Sequence, residues 1–427
     1  MARKHVNWKV AKQPNTALAV ASNSTDFALQ NAPTSFFAQL IDLLPKNRLL
    51  AHFDKHCPRR SATKFSAWDH FIALLFCHLA GCDSLREFDD GLYSACGKLN
   101  HLDAKPMKRT APAYANQTRS YRIFEQCYML LLDYFKPMLG RRKLQKAFEK
   151  PVYSLHSTTI TVCLSRFDWA KYRTSKGGFK LHTIIDNDHL MPCVMNLTTG
   201  KVHDAAQAQT IIEKLPAANI TVVMDRGYND YSLFAWLSKR GTTFVTRLKD
   251  NAVTTPLKKG CRSEGDNYGD YQFEFDSPAG REACGELQFR VVQWHDTDND
   301  RWFNFLTNDM DLKPEQIAAL YKERWQIELF FKKIKQNLKI KSFIGTNENA
   351  VMSQIWTAAI VTLLIEVLKQ RSLHKWSFPK LLHFVRLNLM THKSLRVWLD
   401  YPDVRMNDGK RNLEKPPEIG MQAQLPF

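Results

Sequence analysis

Between Pro151 and Leu248 the hydrophobic pattern changes period in a fixed order, and that order constrains the fold more than any other feature. VYSLHSTTITV, residues 152–162, alternates and is rich in β-branched side chains, which predicts a strand. GFKLHTIID and LMPCVMNLT flank the turn Asn187-Asp188-His189 and predict an antiparallel hairpin. AAQAQTIIEKL then predicts a helix, NITVVMD a strand ending at Asp225, YSLFAWLSKRG a second helix and TTFVTRL a further strand. Three meandering strands followed by helix, strand, helix, strand describe a mixed α/β chain.

The flanks differ. Before Ser35 the chain is rich in Ala, Asn, Ser and Thr without a sustained period, which predicts a mobile arm. FFAQLIDLLP, HFIALLFCHLA and YRIFEQCYMLLLDYF carry apolar residues at three- and four-residue spacing, so helices are expected up to the basic run GRRKLQKAFEK. From about Lys249 to Asn308 short polar strands and Gly-rich turns resemble an insertion. A long helix is expected from Lys313-Pro314 to about Leu338, proline suiting a first helical turn, with apolar helices around 350–371 and a Pro-rich tail.

Charge indicates the partner. The 427-residue chain has 60 Lys and Arg against 42 Asp and Glu, a formal charge of +18. Residues 1–150 alone hold 23 basic and 12 acidic side chains. Such an excess implies a polyanion, nucleic acid before acidic membrane surface, although any one of these cations also fits a solvated surface. The apolar stretches around His70–Ala80 and Ile355–Ile365 are read as too short to cross a bilayer, with Glu366 closing the second, and MARKHVNWKVAKQPNT lacks an apolar signal core. Nine cysteines placed singly fit a reducing cytosol. The expectation is a cytoplasmic protein with no membrane partner.

On the expected long helix, Tyr321, Arg324, Glu328 and Lys335 sit at i, i+3, i+7 and i+14. At about 100° per residue these offsets return to nearly one azimuth. An arginine, a lysine and a phenol around a carboxylate suit a phosphodiester held beside a metal ion. The same residues also fit an amphipathic helix whose Arg324–Glu328 pair is an ordinary i,i+4 contact.

The spacing Y-x2-R-x3-E-x6-K in YKERWQIELFFKKIK resembles the signature of the insertion sequence four family of bacterial DDE transposases. VVMDRGYNDY resembles that family's second-aspartate segment, SLHSTTI stands where its first-aspartate strand belongs, and the stretch from FFAQLIDLLP to SLREF is similar to the helical domain that precedes the catalytic domain in one branch. The resemblance covers roughly residues 35–370. It implies an RNase H-like catalytic core, two Mg²⁺ ions that Mn²⁺ can replace, and cut-and-paste strand cleavage and transfer at DNA. It further implies binding to the terminal inverted repeats of an element and to target DNA, as a homodimer pairing two ends at the bacterial nucleoid. On this reading residues 1–33 are the arm, 34–150 a helical DNA-binding region, 151–345 the catalytic domain with its β-rich insertion at about 249–308, and 346–427 the C-terminal helices and tail. Asp225 and Glu328 become metal ligands; Tyr321, Arg324 and Lys335 hold the phosphates of the cleaved end.

One position departs from the family. Where the family reads L-D-S-T-T this chain has His156, in the place of the first catalytic aspartate. Neutral imidazole offers one free nitrogen and no charge, so it can bind one ion but cannot bridge two. A missing bridge worth about 4 kcal/mol slows the reaction roughly a thousandfold. Among neighbouring carboxylates, Asp186 and Asp188 are assigned to a turn and Asp204 to the surface. The rival reading is a disabled transposase acting only as a sequence-specific DNA-binding protein.

Other residues complete the expectation. Arg226 is assigned to phosphate contact or to a surface acid. Trp325 is assigned to the helix core, with stacking on a DNA base as the alternative, and Trp294 and Trp302 in the insertion are candidates for holding a flipped base. Lys332, Lys333, Lys339 and Lys341 are expected to contact phosphates. His56, Cys57, Cys77, His78 and Cys82 match no standard zinc spacing, and the cysteines among them are assigned to the core.

Overall fold

A computed structural model gives the structure of the chain and describes residues 34–57, 65–94, 110–140, 148–162, 167–173, 176–216, 218–248, 254–337 and 345–402. Its framework is a ten-stranded sheet. The strands are β1 (Val152–Val162), β2 (Lys171–Arg173), β3 (Lys176–Asp186), β4 (Met191–Thr199), β5 (Thr221–Met224), β6 (Thr243–Arg247), β7 (Thr254–Gly265), β8 (Tyr268–Phe275), β9 (Phe289–Asp296) and β10 (Arg301–Thr307). β3 pairs antiparallel with β1 and with β4, whereas β1–β5 and β5–β6 are parallel. The parallel pairs need crossovers, and helices supply them: α7 (Asp204–Ile212) leads to β5 and α8 (Tyr231–Lys239) to β6.

The stretch expected as an insertion does not stand apart from the sheet. β10 pairs antiparallel with β6, and β9, β8 and β7 follow outward, so these strands with α9 (Pro278–Cys284) continue the same sheet.

Alternation along the strands divides the core. Leu155, Val222 and Met224 face α7, α8 and α9, where Ile211, Phe234 and Cys284 join them. Val152 and Val223 face the other way, against Ile317 and Leu320 of α10 (Pro314–Glu323). A helical layer covers the remainder of this second side. It comprises α1 (Phe36–Asp42), α2 (Lys46–His56), α3 (Ala67–Ala80), α4 (Leu85–Ser94), α5 (Thr110–Thr118) and α6 (Arg122–Phe135) from the N-terminal part, and α11 (Trp325–Lys332), α12 (Glu348–Arg371), α13 (Phe378–Asn388) and α14 (Leu395–Asp400) from the C-terminal part. Phe36, Phe71, Tyr128, Trp356 and Leu381 share one core, so helices that lie far apart in sequence form one packed layer.

Local chemistry sets the ends of these helices. Ser66 and Asp69 form a reciprocal capping box that starts α3, and Gly81 ends it with φ +76°, a left-handed conformation that favours glycine. Asn347 caps α12 by accepting from the Ala350 amide at 2.7 Å. α12 corrects the reading of the apolar stretch around Ile355–Ile365. At 24 residues it is long and apolar enough to cross a membrane, but the whole of its most apolar window is buried within the protein, against α3, α5, α6 and α13. An apolar run ringed by other helices meets the same composition test as one ringed by lipid.

Candidate functional site

His156 lies in the middle of β1, one residue beyond the last β1–β5 pair, Leu155 with Met224. Asp225 follows β5 directly, so the two side chains meet at the edge of the parallel pairing. Strand alternation turns both toward the face that carries α10 and α11, opposite Leu155 and Met224. His156 Nδ1 stands 3.7 Å from Asp225 Oδ2 and has no hydrogen-bond partner. The ring packs at 6.0 Å from that of Phe331 on α11. Burial lowers the His156 pKa below its ordinary value, more than Asp225 raises it, and Arg324 also lowers it. The imidazole is therefore neutral at pH 7.

The expected long helix is divided. α10 ends at Glu323, α11 begins at Trp325, and a π turn spans Lys333–Asn337. At the junction the Arg324 amide donates to the Tyr321 carbonyl at 3.0 Å, an i−3 bond that tightens the turn. A uniform 100° per residue thus fails at both ends of the motif, and the four side chains do not form a straight stripe. Arg324 and Glu328 are still near enough to act on the charge of His156, and Asp225 on that of Tyr321. Arg324 Nη1 donates to Glu328 Oε1 at 2.7 Å, and its guanidinium lies 5.7 Å from the Tyr321 ring centroid. Lys335 Nζ donates to Thr158 Oγ1 and, at 2.9 Å, to the Thr159 carbonyl, landing two residues along β1 from His156. Burial raises the Tyr321 pKa, so its phenol stays protonated.

Other sites differ from expectation. Lys333, expected at a phosphate, forms an ion pair with Glu366 of α12 at 2.5 Å, the π turn directing it toward the helical layer. Trp325, assigned to the core, is 55% exposed, since Ile327, Phe330 and Phe331 occupy the buried side of α11. Lys332 is exposed, as is Arg226, whose amide donates to Asp225 Oδ1 at 2.8 Å. Trp302 is 54% exposed and stacks on His295, whereas Trp294 packs against the core beneath α10. Lys339 and Lys341 lie outside the described residues.

Asp204 is the residue that sequence reasoning misplaced. Instead of a solvated surface position, it occupies the first turn of α7 beneath β1. Its Oδ1 accepts from Ser157 Oγ at 2.8 Å and from Lys180 Nζ at 3.1 Å, with His182 Nδ1 at 3.9 Å. The register pairs Ser157 with His182 and Thr159 with Lys180, so a polar strip crosses an otherwise apolar face. That break in the apolar alternation was the available signal. Asp204 serves the face opposite His156, which rules it out as a replacement carboxylate in the observed geometry.

A pair of bridged divalent ions does not fit the residues present. Position 156 supplies one neutral nitrogen, and Glu328 is already held by Arg324. Among the described residues, the tight group with metal-ligating chemistry is instead Asp186, Asp188 and His189 in the β3–β4 turn, whose ligand atoms lie within 4.8 Å of one another.

The residues of this site fall within a stretch that matches a known protein family. Residues 147–364 match the family model described as Transposase DDE domain, and residues 33–105 match one described as Domain of unknown function (DUF4372). The "Probable transposase for insertion sequence element IS5377" of Geobacillus stearothermophilus is 33% identical over 53% of this chain, which spans 58% of that protein's length. A Sinorhizobium fredii protein named as a transposase, y4zB, is 31% identical over 64% of this chain and 75% of its own. A piggyBac transposase synaptic complex with hairpin DNA covers 84% of this chain and 81% of its own at 10% identity and a TM-score of 0.44, a likeness too distant to bear on fold or partner.

Proposed function

The chain belongs to the DDE transposase family, and on that footing we propose that it binds the terminal inverted repeats of an insertion sequence while His156 leaves it unable to cut them. The strand order β4-β3-β1-β5-β6, antiparallel and then parallel, supports an RNase H-like core for residues 151–345. The Y-x2-R-x3-E-x6-K spacing supports placement in the insertion sequence four branch. Residues 34–150, with their basic excess, are read as a DNA-contacting region, and two copies as pairing two ends.

The observation that carries the proposal is the neutral imidazole of His156 facing Asp225 at 3.7 Å. DDE enzymes generally depend on divalent metal, and the set here lacks the carboxylate that would share two ions. What the chain retains is phosphate-binding chemistry. Arg324 presents a guanidinium fork, Lys335 a point charge beside β1, and Tyr321 a hydroxyl, all of which suit a DNA end. Exposed Trp325 next to Arg324 suits stacking on an unpaired base.

The test compares the chain, its His156→Asp variant and the His156→Asp/Glu328→Ala double variant on element-end DNA, with Mg²⁺ and Mn²⁺ separately. All three are expected to shift end DNA in a gel, and only His156→Asp to nick at the element boundary. Boundary nicking by the unaltered chain, absent from a Glu328→Ala variant run alongside the three, would overturn the disabled site. No preference for end DNA over unrelated duplex in any of them would overturn the end-binding assignment.

A further inference from the structure

Two thiols meet at the C-terminus of α3. Cys77 is buried and Cys82, five residues later, is partly exposed; both are free. The amides of Gly81 and Cys82 both donate to the Cys77 carbonyl, at 2.9 and 3.0 Å, and the left-handed Gly81 reverses the chain there. The bond from the Cys82 amide back to the Cys77 carbonyl closes this reversal and sets the two residues side by side across it, near enough for each thiol to act on the other's charge. Arg386 of α13 lies across the same turn. Its Nε donates to the Leu79 carbonyl at 3.2 Å, and its guanidinium is 2.7 Å from where a Cβ on Gly81 would stand.

The environment separates the two thiols. The hydrogen bond from Cys77 lowers the Cys82 pKa, against burial and the nearby carboxylates of Glu87 and Asp83. Burial raises that of Cys77 well above the usual thiol range. An accessible, more acidic thiol touching a buried, protonated one meets the requirements of thiol–disulfide exchange, which needs an attacking thiolate and a resolving partner within reach.

We propose that Cys82 and Cys77 form a redox-modification site that low-molecular-weight disulfides of the glutathione class oxidise to an intramolecular disulfide across the end of α3. The Cys82 thiolate attacks one sulfur of the small disulfide, whose S–S bond breaks to release one thiolate and leave a mixed disulfide on Cys82. Cys77 loses its proton to solvent and attacks the Cys82 sulfur. The Cys77–Cys82 bond forms as the second small thiolate departs. Two electrons pass from the protein pair to the small disulfide, and the two protons end on the two small thiols. The oxidised pair pins the turn against which Arg386 holds α13.

The test treats the full chain with oxidised glutathione, counts free thiols and maps linked peptides by mass spectrometry. The free-thiol count is expected to fall by two, with the peptide that holds both Cys77 and Cys82 two hydrogens lighter than its reduced form. Cys77→Ser should stop at one glutathione on Cys82, because the resolving sulfur is gone, and Cys82→Ser should abolish both products. Circular dichroism would check that each variant folds. An unchanged thiol count, a disulfide mapping to other cysteines, or Cys77→Ser carrying no adduct at Cys82 would each overturn the proposal.

Discussion

Buried histidines dominate the chemistry at the scale of single residues. His182 is fully buried beside the Asp204 network, and burial pushes its pKa down to about 4; His70, hydrogen-bonded to Asn116 at 2.8 Å, is pushed down to about 3 by its burial. Both are neutral in the folded state at pH 5, whereas the unfolded chain binds a proton at each below pH 6.5. The stability they hold is complete above pH 6.5 and falls as pH drops below it, by about 2 kcal/mol for each at pH 5. Urea denaturation at pH 7 and pH 5 should record this loss, and His182→Asn should lose about 2 kcal/mol less than the unaltered chain. Trp325 gives the opposite kind of test. Because it is 55% exposed, Trp325→Ala should change stability by under ~0.5 kcal/mol while weakening end-DNA binding by about 1–3 kcal/mol. A large stability loss with unchanged binding would return Trp325 to the core.

Elements impose constraints that residue spacing does not express. The α10 start is fixed from the sheet by Arg290 of β9, which is fully buried, donates to the Asp309 and Leu312 carbonyls at 3.0 and 2.7 Å, and pairs with Asp270 at 3.1 Å. Arg290→Leu deprives the buried Asp270 carboxylate of its guanidinium and should cost about 3–5 kcal/mol in urea denaturation. Adding Asp270→Leu should recover part of that loss. The same helix region shows how far spacing can be read. The period of YKERWQIELFF identified a helix and its polar residues, but the junction at Arg324 and the π turn at Lys333–Asn337 come from packing against β1 and α12. Those two contacts draw Lys335 to Thr159 and Lys333 to Glu366, partners 176 and 33 residues away along the chain.

Across the whole molecule, the charge of +18 makes binding to DNA an electrostatic matter. If about six phosphates are neutralised, log Kd should rise against log salt with a slope near 5. A gel-shift titration over a series of salt concentrations would measure it, and a slope near zero would contradict a phosphate-gripping surface. Strands β1, β3, β4, β5 and β6 with the helices α7 and α8 between them, the hairpin around Asn187-Asp188-His189 and the position of Asp225 at a strand end were legible in the sequence, because local periodicity and residue type determine them, whereas the three-residue β2 was too short to leave a period. Four features were decided only by the tertiary structure: the continuation of the sheet through β10, the single core shared by N- and C-terminal helices, the burial of α12 within it, and the place of Asp204 beneath β1. The physical reason is the same in each case. These features depend on which surfaces distant segments present to one another, and a period of two or of 3.6 residues specifies that a face is apolar without specifying what will cover it.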